Sequence, residues 1–67
     1  MDRQQIARNM TSQYGNFLTL TEVASYLRLD RGTVRQLLYG LPYLPMGRKK
    51  LYSVDDVARR IVERSKV

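Results

Sequence analysis

The chain has no cysteine, no histidine and no tryptophan, and it has one phenylalanine and two prolines among 67 residues. Without cysteine there is no disulfide and no thiolate metal site to support the fold, and the composition suits a reducing compartment. Without histidine, zinc sites built from His and Cys, a Ser-His-Asp triad and imidazole acid–base chemistry are excluded. No enzyme activity, metal or cofactor is expected. Gly-rich phosphate loops, internal repeats and low-complexity tracts are also missing. No apolar run approaches the length of a membrane span, and Met1-Asp2-Arg3-Gln4-Gln5 lacks the apolar stretch of a signal peptide. A soluble, cytoplasmic protein with neither a membrane nor a small-molecule substrate as partner is expected.

What the chain does have is positive charge. Twelve Lys and Arg stand against six Asp and Glu, a net +6 on a chain short enough for one domain and one core. Such a balance points to polyanions. A membrane-surface helix would back its basic face with Trp or several Phe, so nucleic acid fits better than a bilayer.

The chain is organised around Leu18 to Tyr39, which reads as two short helices joined by a tight turn. Thr19 and Glu22 have the spacing of a capping box, and Leu20, Val23, Ala24 and Leu27 recur at i, i+3, i+4, i+7 as one apolar stripe. The pattern breaks at Arg28-Leu29-Asp30. Asp30 then serves as a second N-cap, and the second helix is expected to run to Tyr39 and stop at Gly40.

In that second helix Val34, Leu37 and Leu38 fall within roughly a hundred degrees of each other and form the apolar face. The opposite side carries Gly32, Arg35, Gln36 and Tyr39, with Arg31 and Thr33 on the flanks. Long donors around a residue without a side chain suit a DNA major groove, where Arg pairs with guanine edges and Gln with adenine edges. Gly32 would let the backbone approach the duplex. Thr33 and the amides from Asp30 to Gly32 are expected to hold a phosphate. The plainer alternative is a helix face that is polar only because it meets water.

Asp2 to Tyr14 reads as a helix ended by Gly15-Asn16, with Ile6 and Met10 at i, i+4 as its only core candidates. Either a docked helix or a frayed arm fits. Arg3 and Arg8 are expected to be solvated. After Gly40, Tyr43 to Met46 and Lys49 to Ser53 read as two strands around a type II′ turn with Gly47 in its first central position. Pro45 confines its strand to an edge. The hairpin is expected to pack on the helices through Leu44 and Leu51. Its tip, Arg48-Lys49-Lys50, is a run of cations able to straddle a phosphate backbone or enter a minor groove. Ser53 opens the last helix, whose Val54, Val57, Ala58, Ile61 and Val62 form a closing stripe. Asp55 and Asp56 complement its positive end, and Arg59, Arg60, Arg64 and Lys66 lie off the stripe. Tyr26, Tyr43 and Tyr52 are expected beside the core rather than stacking on bases, whereas Tyr39 turns outward.

Phe17-Leu18-Thr19-Leu20-Thr21-Glu22-Val23-Ala24, then Leu27, Arg31-Gly32-Thr33-Val34, Gly40, Leu41-Pro42, Gly47-Arg48-Lys49 and Val54-Asp55-Asp56-Val57 resemble the MerR-like excisionase family of small winged helix-turn-helix proteins. The likeness covers about residues 17 to 62. It implies a mainly α fold with a small β-hairpin, a winged helix-turn-helix, in which the second helix enters the major groove and the hairpin wing contacts the backbone or minor groove. On this reading residues 1–16 are an N-terminal helix or arm and residues 17–67 the DNA-binding domain. The implied partner is double-stranded DNA, together with an integrase or recombinase and self-association along DNA. Small phage and plasmid regulators share the pattern. Arg28 stands where the family usually has Gly. A left-handed residue there would cost about 1 kcal/mol or more, which argues for a turn built differently. The Gly-to-Leu-Pro spacing is one residue short.

The expected function is therefore sequence-specific DNA binding in DNA excision. Arg31, Gly32, Thr33, Arg35, Gln36 and Tyr39 form the recognition surface, with base edges read by Arg35 and Gln36, and Arg48, Lys49 and Lys50 form the wing. The alternatives are a transcriptional regulator of the same fold and, from another class, an adaptor that binds an acidic protein through the basic face.

Overall fold

The computed structural model describes residues 2–65, so Lys66 lies outside the described residues. Within them the chain runs α1 (Arg3–Tyr14), β1 (Phe17–Leu18), α2 (Leu20–Leu27), α3 (Arg31–Leu38), β2 (Leu44–Met46), β3 (Lys49–Ser53) and α4 (Val54–Arg64). It is mainly helical, with a small three-stranded antiparallel sheet in the order β1-β3-β2.

Local chemistry accounts for most element boundaries. The Asp2 carboxylate accepts from Gln4 N–H at 3.0 Å and starts α1, and Gly15, at φ +90, ends it. The capping box of α2 is complete: Glu22 N–H donates to Thr19 Oγ1 at 3.2 Å and Thr19 N–H donates to Glu22 Oε1 at 2.9 Å. Asp30 caps α3 through Thr33 N–H at 3.0 Å. Ser53 is the N-cap of α4 without a side-chain bond, and the first amide of that helix, Val54 N–H, donates instead to Asn16 O at 3.0 Å.

Two helix ends differ from expectation. Arg28 does adopt the left-handed conformation, φ 58 and ψ 42, so the turn keeps the shape that glycine would favour. Leu29 N–H closes back on Ala24 O at 3.1 Å across it. The helix pair thus tolerates the backbone cost of a side chain at this position. α3 stops at Leu38, one residue early. Tyr39, at φ −57 and ψ 130, and Gly40, at φ +88, form the centre of a type II turn closed by Leu41 N–H on Leu38 O at 3.0 Å.

Val23 and Ala24 of α2, Val34 and Leu38 of α3, and Val54, Val57, Ala58 and Ile61 of α4 share one core. Ile6 and Met10 join the same core, with Met10 fully buried, so α1 is docked. Ala7 and Tyr14, partly buried, pack against the core beside them; burying a Met side chain contributes about 1.5–3 kcal/mol. Leu37 is only partly buried, at the margin of the core rather than in it. Among the described residues no buried side-chain polar atom lacks a hydrogen-bond partner.

The sheet corrects the hairpin expectation in three ways. A third strand, β1, pairs Phe17 with Ser53 and Leu18 with Tyr52. The first hairpin strand begins at Leu44, leaving Tyr43 outside it. The face turned to the core is also the other one: Tyr52 is buried, Leu51 is half-buried and Leu44 is 48% exposed. Leu51 and Tyr52 are adjacent and both apolar, so alternation alone does not decide which points inward. Pairing with the fully buried Leu18 decides it. Pro45 faces Lys50 on the outer strand β2, where its missing N–H breaks no ladder. Gly47 has φ +62 and Arg48 does not share a positive φ, which makes the two-residue loop between Met46 and Lys49 type II′.

Candidate functional site

Val34 and Leu38 are drawn into the core, while Arg31, Gly32, Thr33, Arg35 and Gln36 of α3 and Tyr39 in the turn after it are all exposed. Tyr39 is 83% exposed, an unusual position for an aromatic ring in so small a domain. The hairpin tip projects Arg48, Lys49 and Lys50, also exposed.

An open cleft of about 630 Å³ lies between these two elements and the start of α2. Arg31 and Arg35 line it from α3, and Arg48, Lys49 and Lys50 line it from the hairpin. Thr19, Leu20, Thr21 and Glu22 form the α2 wall. Glu22 is its only carboxylate, and that group is engaged by the Thr19 amide in the capping box. Among the described residues, the ion pairs are Arg59–Asp56 and Arg60–Glu63, so no cleft cation is neutralised by a salt bridge. Arg31 and Arg35, one turn apart, repel each other mildly. Such an array does little for stability and makes a strong local positive potential.

The other expected site residues are distributed differently. Gln36 and Tyr39 share the exposed surface of α3 but do not line the cleft. Thr33 is engaged by the cap of its own helix, where its Oγ1 donates to Asp30 Oδ1 at 2.7 Å while its N–H donates to Asp30 Oδ2. These two bonds hold the Asp30 carboxyl below its ordinary range, the hydroxyl having the larger effect. The expected phosphate position at the start of α3 is therefore taken by the protein's own carboxylate. Gly32 has a related role. A Cβ on it would sit 3.1 Å from Asp30 Oδ2, so the missing side chain makes room for the cap. The hairpin cations are not equivalent either, since Lys50 Nζ lies 4.8 Å from the centre of the Tyr43 ring, which in turn packs on Tyr52 at 5.9 Å.

One residue escaped sequence reasoning. Arg60, expected among the solvated cations of α4, reaches across to α3, where its Nη1 donates to Leu37 O and to Tyr39 O, each at 2.8 Å. No signal in the sequence marks this, because the acceptors are main-chain atoms more than twenty residues away. Elsewhere Arg3, Arg8 and Arg59 line a second shallow cleft between α1 and α4, together with Asp55. Among the described residues no cluster of His, Cys, Asp and Glu could hold a metal ion, and no helix is long and apolar enough to cross a membrane. No family model, curated protein or solved structure matches the chain.

Proposed function

We propose that this protein is a sequence-reading double-stranded DNA-binding protein of the winged helix-turn-helix type, acting in DNA excision as members of the MerR-like excisionase family do. The observation that carries the reading is the meeting of Arg31 and Arg35 on α3 with Arg48, Lys49 and Lys50 on the hairpin in one cleft, none of them salt-bridged to a carboxylate among the described residues. In this arrangement α3 enters the major groove, where Arg35 and Gln36 read base edges. The hairpin is the wing and lies along the adjacent backbone or minor groove. Arg31, which lines the cleft from α3, joins the wing cations in holding phosphate. Thr33 and Gly32 support the helix start rather than touch DNA. The protein performs no chemistry; it bends or marks a site on which a recombinase acts, and it loads on neighbouring sites beside further copies of itself.

The test is a fluorescence-anisotropy titration of the intact protein with two duplexes, one selected by the protein from a random-sequence pool and one a scramble of it. Neutralising about six phosphates gives a slope of roughly −5 in log affinity against log salt. A preference of at least tenfold for the selected duplex is expected together with that slope. Weak binding to both duplexes with a slope near zero would overturn the DNA reading and favour an acidic protein as the partner of the basic face. Given DNA binding, cooperative loading on tandem sites with strong bending separates an excision factor from a repressor on a single palindromic operator.

A further inference from the structure

Neighbouring arginines on α4 have opposite fates. The Arg59 side chain is 51% exposed and pairs locally with Asp56, whereas that of Arg60 is 17% exposed and turns towards α3. There the main-chain acceptors at the end of α3 are divided without overlap. Tyr39 N–H serves Gln36 O, Leu41 N–H serves Leu38 O, and Arg60 Nη1 serves the two between and beyond them, Leu37 O and Tyr39 O. Such terminal carbonyls have no donor within the helix and carry the negative end of its dipole, which suits a guanidinium. Glu63 Oε1, 3.6 Å from Arg60 Nε, steadies the other side of the group.

We propose that Arg60 is a positioning residue for DNA readout: it clamps the end of α3 to α4 and so fixes the angle at which Arg35, Gln36 and Tyr39 are presented. This rests on the reading of α3 as the base-reading helix. At its start α3 is capped by Asp30, but those bonds stay within its own first turn. Val34 and Leu38 hold its inner face by apolar contact, which is non-directional. Arg60 supplies directional bonds from α4. The lever is long enough to matter: a helix of eight residues is about 12 Å long, so a swing of about 15° about its start moves its far end by about 3 Å, the length of a hydrogen bond. Base reading tolerates far less.

The experiment compares Arg60→Gln with Arg59→Gln, which removes the same charge from the neighbouring position without touching the clamp. Both are measured in the intact protein against the selected and scrambled duplexes, and residual dipolar couplings report the α3–α4 angle without DNA. Arg60→Gln is expected to lower the preference for the selected duplex at least fivefold, to weaken scrambled-duplex binding no more than Arg59→Gln does, and to change the angle. Arg60→Lys keeps the charge but ends one bond short, and is expected to recover part of the preference; it also carries the test if Arg60→Gln does not fold. A folded Arg60→Gln with the native angle overturns the proposal, whatever its binding. So does a changed angle with an unchanged preference. If the unaltered protein shows no preference at all, the DNA reading fails on its own account, and the couplings still decide whether Arg60 sets the angle.

Discussion

The cations of the α3–hairpin cleft and those of α4 are the same residue types with opposite treatment. On α4, Asp56 answers Arg59, and Arg60 is answered by Glu63 and by the carbonyls of Leu37 and Tyr39. In the cleft, Arg31, Arg35, Arg48 and Lys49 face water and each other, and Lys50 lies over the face of Tyr43. Arg59 and Arg60 are matched within the fold, whereas no cation of the cleft has a salt bridge among the described residues. The contrast teaches that the net +6 of the chain is not a uniform property. It is concentrated on one surface by the placement of a few carboxylates elsewhere.

The largest effect that can sharpen this comparison lies beneath the cleft. Leu38 is 2% exposed, and Leu38→Ala is expected to cost about 2–5 kcal/mol, close to the whole stability of so small a domain. Arg35→Ala, three residues earlier and exposed, is expected to change stability by no more than about 0.5 kcal/mol. Urea melts of the two variants measure both, and equal losses would mean that the outward face of α3 is structural after all.

A smaller effect separates the two sets of cations directly. Replacing Arg48 and Lys49 together by Ala is expected to weaken binding to every duplex alike and to reduce the salt slope by about two, whereas Arg59→Ala leaves the slope unchanged. The slope is read from titrations at several salt concentrations. A loss from Arg59→Ala as large as that from the hairpin pair would erase the distinction between the surfaces.

The smallest effect concerns the cap at the start of α3. The carboxyl of Asp30 titrates below its ordinary range because Thr33 bonds to its charged form, so its contribution to stability is complete above the unfolded-state value. It is lost as pH falls through the lowered folded-state value, because protonation removes the charge that those bonds favour. Asp30→Asn, which caps but does not titrate, is expected to flatten this acidic limb in thermal melts across that range. An unchanged limb in the variant would assign the acid sensitivity to other carboxylates.

What could be read from the sequence was local. Thr19 with Glu22, Asp30 ahead of α3, Gly47 in a two-residue loop and the stripe from Val54 to Ile61 all depend on residues within a turn or two of each other, and each is found as expected. What could not be read depends on partners far along the chain. β1 is too short to show a period and exists through pairing with β3. The inward face of the hairpin was decided by Leu18, and the role of Arg60 by carbonyls on another helix. In the candidate site, the cations of α3 and the hairpin were legible as exposed charge. That the Thr33 hydroxyl is also spent on Asp30 was not, because the partner of a hydroxyl is known only once the side chains are placed.

The docking of α1 on α4 has a consequence for how the molecule is made. Ile6 and Met10 share one core with α4, far along the chain, and Val54 N–H completes the link to Asn16. Forming these contacts closes a long loop, whose entropic cost precedes its reward. A nascent chain that has emerged only through the hairpin carries every cation of the cleft but not the helix against which α3 is set. The charged surface exists early as sequence and late as shape. Under the proposed function, selective recognition waits for α4 to close the core.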